Sequence, residues 1–159
     1  MFSPPRMIIS LRRPEIRSRP EASIEPTSTP AGQTALRDWL AEPGALPSLE
    51  FDGLLKVLYA DHGDRAAMLA TLRNIQDQAQ ARLDIGRALA REYLYGTGPF
   101  PDRVHVNALA WDYLRRHHQM TVDWAAWAAS IVDEWTDTAL SSDKTSVAID
   151  VFSEGLNHD

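Results

Sequence analysis

The sequence predicts an all-α fold of about five helices, one of them long and central, with a disordered N-terminal arm and a polar C-terminal tail. Three observations carry that prediction. Apolar residues recur at three-and-four spacing along most of the chain, the period of a helix with one buried face. The periodic stretches open on Thr, Ser or Asp and close on Gly or Pro, which are the start and stop signals of helices. Three of the five tryptophans fall on one such ladder, Trp124, Trp127, Ala128, Ile131 and Trp135, at i, i+3, i+4, i+7 and i+11.

Taken in order, residues 1–28 carry prolines at 4, 5, 14, 20 and 26 with arginines between them. Proline at this density blocks helix interiors and sheet ladders, so the segment is expected to be an unstructured leader. A phosphate-binding arm is the functional alternative for its arginines. A first helix is expected at 30–41: Thr29 accepts from orphan backbone donors, Pro30 loses nothing at the first turn, and Pro43-Gly44 stops it. A second is expected at 49–61, capped by Ser48. The longest, capped by Asp64, should run over 65–95 and close at Gly96 and Gly98, a span of about 46 Å. Its stripe includes Leu72, Ile75, Ala79, Leu83 and Tyr93, and weakens where Arg82 and Gly86 stand near the seam. A helix so long needs a second surface to bury its face, and these five residues are read as a contact with a second copy.

Helical periodicity resumes from 102 to 118, with Leu109, Tyr113 and Leu114 inward. Thr121 then either caps a further helix or belongs to one continuous helix that Gln119-Met120 merely kinks. Residues 138–159 read as a mobile polar tail with room for one helical turn. The domains expected are thus 1–28, 29–137 and 138–159.

Composition narrows the function. The chain has 159 residues, enough for one domain with a real core. Its net charge is −6, but residues 1–28 hold five arginines against three glutamates, leaving eleven basic and nineteen acidic groups in residues 29–159. That part repels phosphate backbones, so it is expected to reach DNA only indirectly. There is no cysteine, which excludes disulfides and thiolate chemistry and fits a cytoplasmic setting. No apolar run is long enough for a membrane span, and no membrane partner is expected.

Three segments carry a family resemblance: Thr29 through Leu40, Leu49 through Leu58, and Gly98 through Leu109. In this order and spacing they resemble the C-terminal domain of the PadR-family transcriptional regulators. In that family a winged helix precedes the Pro-Ala-Gly segment found here at 30–32, whereas here 29 residues precede it and none reads as a recognition helix. The resemblance therefore implies the helical effector and dimerisation half of such a regulator, without its DNA reader. It implies a homodimer and, in some members, small-molecule sensing. A stand-alone ligand-binding module is one alternative. A dominant-negative chain forming heterodimers with a full-length relative is another.

Catalytic, metal and cofactor sites find no support in the residues. His117 and His118 are adjacent and diverge by about 100° on a helix, and no His-x-x-x-His pair exists. Asp112 with Arg116, and Asp84 with Arg87, have the spacing of solvated helical ion pairs. The aromatic set leaves two readings open. Tyr113, Trp124 and Trp127 line a pocket for a planar apolar ligand, or they are core and interface packing.

Overall fold

The computed structural model describes residues 29–156, and the chain divides between Pro47 and Ser48 into two units. The leader expected at 1–28 lies outside the described residues, and the domain expected at 29–137 spans that division. In the first unit, α1 (Pro30–Ala41) starts as its sequence dictates. Thr29 Oγ1 accepts from the Gly32 N–H at 3.1 Å, and Thr34 and Arg37 bond along its surface. None of its residues is buried, and Leu36, Trp39 and Leu40 all face outward.

The second unit is built on two 30-residue helices, α3 (Arg65–Leu94) and α4 (Val104–Asp133), with the short α2 (Asp52–Leu58) laid against α3. Asp64 caps α3 through a 2.8 Å bond from the Ala67 N–H. At its other end Gly96, at φ 74°, takes the left-handed position. The Gly96 and Thr97 amides then return to the Tyr93 and Glu92 carbonyls, a Schellman closure. The turn leads to Pro101, a 3-10 turn over Pro101–Arg103, and α4 running back antiparallel.

Two elements differ from the sequence expectation, and a third resolves a choice it left open. Ser48 does not cap α2: the helix begins at Asp52, behind Phe51, whose ring meets Trp124 edge-on at 6.4 Å and sets where the chain turns in. Residues 104–133 form one helix, because they contain neither Gly nor Pro to stop it. Thr121, instead of capping, turns its hydroxyl back onto the His117 carbonyl at 2.9 Å. The expected tail holds a fifth helix, α5 (Ser142–Leu156). Lys144 tethers it, 2.9 Å from Asp137 Oδ1 and 5.3 Å above the Trp135 ring.

The described residues thus contain five α-helices and no strand. Their core is one seam between α3 and α4. Leu69, Leu72, Ile75, Ala79 and Leu83 of α3 are buried with Ala125, Ala128 and Val132 of α4. Leu72 and Leu83 have no exposed surface, and burying each stabilises the fold by about 1.5–3 kcal/mol. Val57 of α2 packs on the cluster around Leu72. No helix among the described residues is long and apolar enough to cross a membrane.

Candidate functional site

The α3–α4 pair is unevenly packed along its length. Every buried residue lies in 69–83 on α3 and 125–132 on α4, the half that α2 also covers. That half is closed at its end by Arg65. Its Nε donates to the Val132 carbonyl at 3.0 Å, and its Nη2 donates to the Asp133 carbonyl and, at 2.8 Å, to Asp133 Oδ1. A guanidinium there meets the orphan carbonyls and the negative end of α4.

The other half has no buried side chain. Its apolar residues face outward, Ile85 and Leu89 on α3, Val104, Leu109 and Leu114 on α4, and Leu109 is 74% exposed. Two local contacts hold the helices together here. Trp111 lies over Gly86 so closely that a Cβ at residue 86 would stand 2.0 Å from the ring. The Tyr93 hydroxyl donates to the Pro99 carbonyl at 2.6 Å and accepts from Asn107 Nδ2 at 2.9 Å.

These positions correct the reading of the long stripe. Leu72, Ile75, Ala79 and Leu83, expected at a contact between copies, are already covered within the chain, because α4 runs back along the stripe. Tyr93 serves the α3–α4 turn. Of the aromatic trio, Tyr113 and Trp127 are about half exposed, and the Tyr113 ring stacks on His117 at 6.4 Å.

Trp124 does line a cavity, in company the sequence did not suggest. Beside the first turn of α2, the groove between α3 and α4 stays open over about 650 Å³. Phe51, Gly53, Ile75 and Trp124 form one end, and Arg82, His117 and His118 the other. Gly53 is required at this junction, since a Cβ there would stand 2.8 Å from Ile75 Cδ1. Burial, then the neighbouring His117 and Arg82, hold the His118 imidazole below its ordinary value, so it is neutral at pH 7. The only forewarning in the sequence was Arg82, a charge near the seam of an otherwise apolar stripe.

The surface ion pairs fall where their spacing indicated. Asp112 meets Arg115 and Arg116 at 2.7 Å each, and these bonds hold its carboxyl below the usual range. Arg87 meets Asp84 at 3.1 Å. Among the described residues no three His, Asp or Glu side chains gather into a metal-holding group.

With this geometry in hand, comparison with known proteins gives one finding. The family described as virulence activator alpha C-term matches residues 52–133, from the first residue of α2 to the last of α4. No curated protein and no solved structure matches the chain.

Proposed function

The chain belongs to the virulence activator alpha C-term family, and from that premise we propose that it is the dimerising helical half of a PadR-like transcriptional regulator. The observation that carries this reading is the uncovered outer half of the α3–α4 pair. A single copy leaves Ile85, Leu89, Leu109, Tyr113 and Leu114 exposed along the outer half of the pair. Exposed apolar surface marks an interaction site where it is contiguous. A second copy is the occupant that the family role supplies, and isologous pairing would cover the same patch on both chains. Residues 29–159 remain a poor phosphate binder by charge, so the regulator's grip on DNA would lie elsewhere and be controlled through the pairing.

Sedimentation of the full chain at micromolar concentration is expected to give a dimer. Leu109→Asp together with Leu114→Asp should shift it to a folded monomer, because both side chains are exposed in the single copy and the charges would be buried only in the pair. A stable monomer for the unaltered chain, or a dimer indifferent to both substitutions, would refute the proposal.

A further inference from the structure

The open groove between α3 and α4 carries charge at its two ends unevenly. Of the cations on its lining, Lys56 already pairs with Asp52 at 2.9 Å, whereas Arg82 makes no hydrogen bond or ion pair among the described residues. His117 and His118 stand at the same end as Arg82, their rings 5.3 Å apart. The carboxylates on the lining, Glu50 and Asp52, flank Phe51 and Gly53, which pack on Trp124 and Ile75. Ile75 and Arg82 are seven residues apart on α3, so the two ends are separated by about 10 Å. Between them Ala79 presents only a methyl group and Met120 adds apolar surface, with Gln78 and Thr121 the polar side chains along the same stretch.

We propose that this groove binds an elongated apolar carboxylate of the fatty-acid type, its head on Arg82 and His118 and its chain running over Ala79 and Ile75 toward Phe51 and Trp124. A guanidinium offers a planar fork that matches a carboxylate, and the neutral His118 ring offers one further N–H. The acidic end keeps the head from seating the other way round. The length of the trough suits a chain, while a single flat ring would fill one end and leave the other wet. This site lies within one copy of the second unit and needs no partner chain. Its failure would therefore leave the dimer reading untouched, and the reverse.

The test uses the full chain titrated calorimetrically with decanoate below its micelle concentration, with decanol and decyltrimethylammonium as neutral and cationic controls of equal length. One saturable decanoate site per chain is expected, accompanied by a rise in melting temperature. The alcohol should bind at least about tenfold more weakly and the cation not measurably, since a lost charge-assisted bond is worth a factor of ten or more. Arg82→Gln, at an exposed position without partners, should fold normally and weaken decanoate about tenfold. Arg73→Gln, on the same helix but off the groove, should change nothing. Equal binding of all three amphiphiles, an unaltered affinity in Arg82→Gln, or no saturable binding would overturn the proposal.

Discussion

The two halves of the α3–α4 pair are made from the same two helices, yet only one of them is a core. Near Arg65 and Val132 the seam sets Leu and Ile of α3 against Ala and Val of α4, and α2 packs on the same half. Beyond Leu83 the helices continue for three more turns with no buried side chain, joined by one tryptophan in a glycine notch and one tyrosine in the turn. Two helices alone bury one stripe each. A third surface is needed to make a core, and α2 is too short to supply it over the whole length. The lesson is that a helix can be continuous in backbone and divided in energetics.

The sharpest way to break this comparison is at neighbouring residues of α3. Leu83→Ala removes a side chain with no exposed surface and should cost about 2–5 kcal/mol in chemical denaturation. Ile85→Ala, two residues on and 66% exposed, should stay within about 0.5 kcal/mol at concentrations where copies are separate. Equal losses at the two sites would abolish the distinction.

A smaller effect probes what joins the outer half. Gly86→Ala brings a methyl against the Trp111 ring and should cost about 1–3 kcal/mol despite the better helix propensity of alanine. Adding Trp111→Ala removes the clash, so the double variant should lose less than the two single losses together. An unchanged or raised melting temperature in Gly86→Ala would show that the tryptophan is free to swing away.

The smallest effect concerns α5. The Lys144 ammonium and the Ala139 N–H hold the Asp137 carboxyl below its ordinary value of 3.8. A depressed folded value means the tether is at full strength above 3.8 and is lost as pH falls through the lowered value. In an acid titration followed by NMR, the amides of 147–152 should shift before those of the α3–α4 seam. Lys144→Gln should remove that early step, and simultaneous loss of both regions would contradict it.

How much of this was legible beforehand follows from locality. The bounds of α1 and the start of α3 were readable because Thr29-Pro30 and Asp64 act within four residues of themselves. The Ser48 cap misled because a tertiary contact, Phe51 on Trp124, decides where α2 begins. The joint at Gln119-Met120 stayed open because a Thr within a helix and a Thr before one look alike in sequence. α5 was missed in a stretch that reads as polar, although Val147 and Val151 stand at helical spacing. The stripe Leu72-Ile75-Ala79-Leu83 was recognised as a buried face and assigned to the wrong neighbour. Periodicity marks a covered surface and carries no information on whose atoms cover it. The groove was invisible for a related reason: its lining comes from three helices and the segment leading into α2, up to 75 residues apart in the chain.

Arg65 has a bearing on the order in which the molecule assembles. Its bonds to Val132 and Asp133 span 67 and 68 residues, and the nearby Thr138 hydroxyl reaches back to the Gly63 carbonyl across 75. Contacts of such separation form after the helices have been brought together through their turn, since the closure entropy must be met first. They are therefore expected to be absent from the rate-limiting structure. Arg65→Met is expected to leave the refolding rate unchanged, so that its whole loss of equilibrium stability is read as faster unfolding and a proportionately shorter native lifetime.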